Sequence, residues 1–173
     1  MIPIRNRKKS LQVTVEEMRN FAFAYIEKYA PSKQQLKTYL LKKYLKTSVP
    51  NVKKHDVTNL IDIVLSDLEK SKFINDKFYS ESKAKSMIQR GSSINKIRNY
   101  LFGKGINNQF IKETVEKIHD ENSDQDFFSA IKLCKKKRIG PARTVDNRPL
   151  FYKKDISLLA RNGFDFETSK KVM

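Results

Sequence analysis

The sequence predicts an all-α fold, three tandem three-helix repeats in an elongated, curved arrangement, and three observations lead there. Apolar residues recur with a period close to 3.6 almost everywhere. The only alternating fragment, Val13-Thr14-Val15, is too short for a strand. A short pattern, an amphipathic turn closing on glycine and a large apolar residue, appears at Tyr100-Leu101-Phe102-Gly103-Lys104-Gly105-Ile106 and again at Leu158-Leu159-Ala160-Arg161-Asn162-Gly163-Phe164. A glycine-free echo stands at Tyr39-Leu40-Leu41-Lys42-Lys43, and the openings Tyr39, Tyr100 and Leu158 lie 61 and 58 residues apart in a chain of 173. A unit that cannot bury its own apolar stripe must stack on a neighbour, and such stacks make extended molecules whose surfaces bind partners.

Residues 1–13 form a basic arm, Met1-Ile2-Pro3-Ile4-Arg5-Asn6-Arg7-Lys8-Lys9 and its continuation, which reads either as a disordered solubilising tail or as a binding arm. The first repeat covers 14–74. Thr14 followed by Glu17 is a capping-box start, after which Val15, Met18, Phe21, Ala22, Tyr25, Ile26 and Tyr29 share one face. That helix ends before Pro31. Ser32 caps the next, which carries Leu36, Tyr39, Leu40 and Tyr44 inward and Lys37, Lys42, Lys43 and Lys46 on its remaining surface. After the breakers Ser48-Val49-Pro50-Asn51, the clearest stripe of the chain follows: Val57, Leu60, Ile61, Val64, Leu65 and Leu68.

The second repeat covers 75–122. Asp76 starts a helix with Phe78, Tyr79, Ala84, Met87 and Ile88, stopped at Gly91. Ser92 or Ser93 caps a short helix with Ile94, Ile97 and Leu101 inward, and Gly103 and Gly105 end it where a left-handed conformation is needed. Asn107 caps a helix whose buried stripe is Phe110, Ile111, Val115 and Ile118, and Asp120-Glu121-Asn122-Ser123-Asp124 breaks the chain. The third repeat, 123–173, opens with Phe127, Phe128, Ile131 and Cys134 and exposes Lys135-Lys136-Lys137-Arg138 at the helix end, where cations suit the dipole. Ile139-Gly140-Pro141 ends that helix, a loop to Pro149 carries Arg143 and Arg148, and Phe151, Ile156, Leu158 and Leu159 mark a helix closing at Gly163. Asp165 caps a shortened last helix to Met173.

Composition supports a folded, basic protein, with 39% hydrophobic residues, eleven Phe and seven Tyr for a core. The 36 Lys and Arg against 19 Asp and Glu leave +17, a field that draws in phosphates or an acidic protein surface. No stretch is apolar for the eighteen or so residues of a membrane span. Glu16, Glu17 and Arg19 interrupt the apolar region a signal peptide needs, so a cytoplasmic location with no membrane partner is expected. The single cysteine, Cys134, has no internal disulfide partner and reads as a small buried apolar residue.

No catalytic, cofactor or metal site emerges from the pattern. His55 and His119 each lack a second histidine or cysteine at metal-ligand spacing and read as exposed helix ends. Gly103 and Gly105 follow a helix instead of leading into one from a strand, the wrong context for a nucleotide-binding loop. Asp76 with Glu81-Ser82-Lys83 resembles the acidic and E-x-K pairing of some nucleases, but on a helix these groups do not converge on one metal. Tyr25, Tyr39, Tyr79 and Tyr100 fall on or beside apolar stripes, which suits packing better than base stacking.

The order and spacing of these signals resemble a known family. The Pro31-Ser32 helix start leading to Leu36, the Asp76 to Phe78 start, and the endings Gly103-Lys104-Gly105-Ile106 and Leu159-Ala160-Arg161-Asn162-Gly163-Phe164 look like the bacterial RecX regulators. Arg138-Ile139-Gly140-Pro141-Ala142-Arg143 resembles the arginine-rich break in the third repeat of some of its branches. The resemblance covers about residues 14–173, although each motif taken alone is helix-cap grammar. It departs at Lys33-Gln34-Gln35, where the family usually has acidic residues, and at the basic arm.

The resemblance implies a non-enzymatic, cofactor-free monomer that lies along the groove of the RecA filament on single-stranded DNA. It implies inhibition of strand exchange, ATP hydrolysis and the co-protease activity behind the SOS response. Lys135, Lys136, Lys137, Arg138, Arg143 and Arg148 are the residues placed to reach phosphates, where a helix end meets a loop. An autonomous DNA-binding regulator using a helix-turn-helix is the alternative; against it, no helix gathers the Arg, Asn and Gln that read base edges on one polar face.

Overall fold

The computed structural model describes residues 12–46 and 53–173. The basic residues Arg5, Arg7, Lys8 and Lys9 and the turn Ser48-Val49-Pro50-Asn51 lie outside the described residues. Among those described, the order is α1 (Val15–Tyr29), α2 (Lys33–Lys46), α3 (Lys54–Lys70), α4 (Asp76–Gln89), α5 (Ile94–Gly103) and α6 (Asn108–Glu121). There follow α7 (Gln125–Lys137), a 3-10 turn at Gly140–Ala142, α8 (Asn147–Arg161) and α9 (Phe166–Val172), with no strand among the described residues. The fold is all-α, as the periodicity predicts. The chain divides into two compact units, Met1–Asn75 and Asp76–Met173.

In the first unit the caps follow the side chains that can make them. Thr14 accepts from the Glu17 N–H, while the Glu17 carboxylate reaches back past Thr14 to accept from the Gln12 N–H. Ser32 and Gln35 close a reciprocal box: Ser32 Oγ accepts from the Gln35 N–H at 3.2 Å and Gln35 Oε1 from the Ser32 N–H at 3.1 Å. The three helices then bury Met18, Ala22, Leu36, Leu40, Tyr44, Val57, Ile61, Val64, Leu65 and Leu68 in one cluster. Each full-sized side chain there contributes about 1.5–3 kcal/mol. The ion pairs Arg19–Asp67, Lys33–Glu69 and Lys37–Asp62 bind α1 and α2 to α3 at its rim, but at their exposure each is worth at most about 1 kcal/mol. Apolar burial therefore holds this unit.

The second unit has two apolar clusters. One, from α4 to α6, is centred on Ile97 and Leu101 with Tyr79, Ile111, Val115 and Ile118. The other, from α7 to α9, holds Ala130, Leu133, Cys134, Ile139, Leu159, Phe164 and Val172. The start of α5 is pinned by the end of α8 and by the first turn of α7. Ser93 Oγ accepts from the Lys96 N–H as a cap and donates to the Asn162 carbonyl at 2.7 Å. Asp126, in the first turn of α7, accepts from the Ile94 N–H at 2.8 Å. Gly163 is required there twice over: its φ is +87, and a Cβ would stand 2.6 Å from Ser93 Oγ.

Several sequence expectations are corrected. Phe78 and Phe128 lie on apolar-looking positions yet are exposed, because the stripe of α4 is carried by Tyr79, Ser80 and Ala84 and that of α7 by Ser129, Ala130, Leu133 and Cys134. Gly103 is the last helical residue of α5, and Gly105 alone takes the left-handed turn. Helix α6 runs through Asp120 and Glu121, so only Asn122 to Asp124 break the chain. Helix α8 begins at Asn147, not after Pro149, since proline in a first helical turn forfeits no intrahelical bond. His55 and His119 accordingly sit within the first turn of α3 and the last turn of α6.

Candidate functional site

The six basic residues singled out from sequence separate into two groups. Lys135, Lys136 and Lys137 form the last turn of α7, and Arg138 is its C-cap. All four are exposed, and none is ion-paired among the described residues. A lysine-rich last turn also complements the free carbonyls at the helix end. Arg138 adopts φ 55, ψ 48, a left-handed conformation that costs a residue with a Cβ about 1–2 kcal/mol relative to the right-handed region. Its N–H caps the Cys134 and Lys135 carbonyls.

Arg143 and Arg148 are committed elsewhere. Arg143 Nε donates to Asp155 Oδ2 at 2.6 Å and Nη2 donates to Oδ1 at 2.9 Å, a two-pronged pairing with a carboxylate only 2% exposed. The Gly140 N–H donates to the same Oδ2 at 2.8 Å. The Arg143 hydrogen bonds hold the Asp155 carboxyl below its usual range in spite of burial, with the Gly140 N–H adding to the effect. Arg143 also lies over the Phe151 ring at 4.3 Å. Arg148 donates to the carbonyls of Arg143 and Pro141, closing the other side of the 3-10 turn. These two arginines therefore shape the segment that follows the cluster, and the cations left to meet an anion are Lys135 to Arg138.

Asp155 is the residue the sequence reading missed. It sits four residues after Phe151 and four before Leu159, a carboxylate in the middle of an apolar stripe, and that placement was the available signal. Its neighbour Cys134 is fully buried, its thiol pushed up to about 11 by burial and then by the Asp155 charge, so it stays a neutral thiol. Gly140 completes the corner. Its φ is +51, and a Cβ would meet Met173 Sδ at 2.5 Å.

Glu81 of α4 pairs with Lys117 of α6, and Lys77 of α4 with Glu113 of α6, so these two carboxylates are spent on ion pairs between the two helices. Among the described residues there is no group of three or more His, Cys, Asp or Glu that could hold a metal ion. None of the described helices is long and apolar enough to cross a membrane.

No family model matches the chain. Curated relatives do. A regulatory protein RecX of Myxococcus xanthus is 29% identical over 171 residues, spanning 98% of this chain and 90% of the relative. A regulatory protein RecX of Lactococcus lactis is 36% identical over 121 residues, 66% of this chain but only 43% of that longer protein. Among solved structures, RecX from Lactobacillus salivarius superposes with a TM-score of 0.65 at 15% identity, covering 91% of this chain and 93% of the other. A second RecX structure gives 0.60 at 17% identity, covering 91% and 72%. At such identities the structures speak for the fold alone. The fold is the all-helical one of the RecX structures. In sequence the chain is similar to regulatory proteins RecX, in one case along nearly its whole length.

Proposed function

We propose that this chain is a RecA modulator that binds the groove of the RecA filament on single-stranded DNA and inhibits strand exchange, ATP hydrolysis and co-protease activity. Its setting is the bacterial cytoplasm, it acts as a monomer, and its residues do no covalent chemistry. The observation that carries the reading, beyond the likeness to RecX proteins, is the exposed and unpaired cluster Lys135, Lys136, Lys137 and Arg138 at the end of α7. An electropositive helix end attracts phosphates, speeds encounter and makes affinity sensitive to salt. The division into repeats at 14–74, 75–122 and 123–173 belongs to the same proposal, and the three separate apolar clusters favour it.

Replacing Lys135, Lys136, Lys137 and Arg138 by Gln tests the role of the cluster without breaking the Arg143–Asp155 pair. Strand-exchange inhibition is expected to weaken, and the slope of log affinity against log salt to fall by about 3 if all four meet single-strand phosphates. Inhibition at the unsubstituted level, with the salt slope intact, removes the cluster from the mechanism.

A further inference from the structure

A second surface suited to nucleic acid lies in the first unit, on the side of α1 and α2 where three tyrosines gather. Tyr25 and Tyr39 stack nearly parallel, with centroids 4.1 Å apart and planes 12° from one another. Tyr29 leans on Tyr25 at 4.7 Å and 46°. The other close aromatic pairs meet edge to face: Phe21–Tyr44 at 71°, Phe23–Phe73 at 82° and Phe127–Phe128 at 73°. The tyrosine column is thus built differently. It also ends in solvent, since Tyr29 is 53% exposed while Tyr25 and Tyr39 are half-buried.

The charges around the column point to its occupant. On α2, Lys33 and Lys37 pair with Glu69 and Asp62 of α3. Lys42 stands one turn beyond Tyr39 on the same face, and the Lys28 ammonium stands over the Tyr29 ring, 5.3 Å from its centroid; both are exposed, and neither is ion-paired among the described residues. An aromatic face flanked by unneutralised ammonium groups is what single-stranded nucleic acid requires, a platform for a base beside cations for its phosphates. Duplex DNA keeps its bases stacked inside and offers no free face to a tyrosine.

We infer that Tyr29, at the open end of the Tyr39–Tyr25 stack, receives a base of single-stranded nucleic acid in place of the Lys28 ammonium, which moves with Lys42 onto the adjoining phosphates. This goes beyond the RecA reading and stands without it. The chain has seven Tyr and no Trp, so intrinsic tyrosine fluorescence reports the contact directly.

The test titrates the full-length protein, with RecA absent, against an oligothymidylate of about twenty nucleotides and an abasic strand of the same length and charge. Tyr29→Ala is expected to bind the oligothymidylate about tenfold more weakly, Tyr29→Phe to bind as the parent does, and the abasic strand to bind parent and Tyr29→Ala alike. Replacing Lys28 and Lys42 together by Ala is expected to lower the salt slope by about 1.4. Unaltered thermal melts of the variants show that the fold is kept. Equal affinity of the parent for the thymidine and abasic strands, or of Tyr29→Ala and the parent for oligothymidylate, overturns the proposal. Because RecA plays no part in this experiment, its outcome is separate from that of the filament assays.

Discussion

The most consequential single residue is Asp155. Its carboxylate ties helix α8 to both the 3-10 turn and Arg143, and it accepts three hydrogen bonds from two residues. Asp155→Ala leaves the Gly140 N–H and the Arg143 guanidinium without their acceptor, and is expected to destabilise the second unit by about 3 kcal/mol in urea melts. The pH dependence carries a sign. The folded carboxyl is held below its unfolded range, so its stabilisation is complete above about pH 4 and is lost as pH falls through the lowered folded value. The deficit of Asp155→Ala is therefore expected to shrink on acidification from pH 4 towards pH 2; a deficit constant across that range contradicts the charge-assisted pairing. Sequence alone favoured Arg143 as a phosphate ligand because a lone basic residue in a loop carries no mark of its partner. That partner lies twelve positions on, in another element, and only its misfit with an apolar stripe gave it away.

At the scale of elements, five of the described helix starts were legible because the residues that cap them do so through short side-chain acceptors of fixed reach, whereas α3, α7 and α8 have no side-chain cap. Thr14, Ser32, Ser93, Asn107 and Asp165 all cap as their side chains predict. Which aromatic faces inward was not legible, since Phe78 and Phe128 satisfy a helical period and are nonetheless exposed at 70% and 48%. Periodicity gives an angle around the helix, whereas burial depends on what packs there. Two elements yield predictions. Ser93→Ala removes the cap of α5 and the donor to the Asn162 carbonyl together, and is expected to cost about 1–2 kcal/mol in thermal or urea melts. Arg138→Gly relieves the left-handed cap of α7 and is expected to raise stability by about 0.5–1 kcal/mol while weakening inhibition of RecA. Those opposite changes distinguish an arginine kept for its charge from one kept for the turn.

For the molecule as a whole, the excess of 36 basic over 19 acidic residues, +17, sets a positive field that internal ion pairs cannot reduce, since each takes one charge of either sign. Lys135 to Arg138 and the pair Lys28 and Lys42 stand outside those pairings, one group in each compact unit. The all-helical class and the likeness to RecX proteins were legible from the order and spacing of caps and glycine turns, which constrain the backbone directly. The binding surfaces were legible only as charge, because which cations are free is decided by tertiary pairing. The most direct measurement of the central claim is RecA ATP hydrolysis on single-stranded DNA with this protein added below one copy per RecA monomer. Loss of hydrolysis that recovers as salt is raised is the expected result, and full hydrolysis at saturating protein and low salt contradicts it.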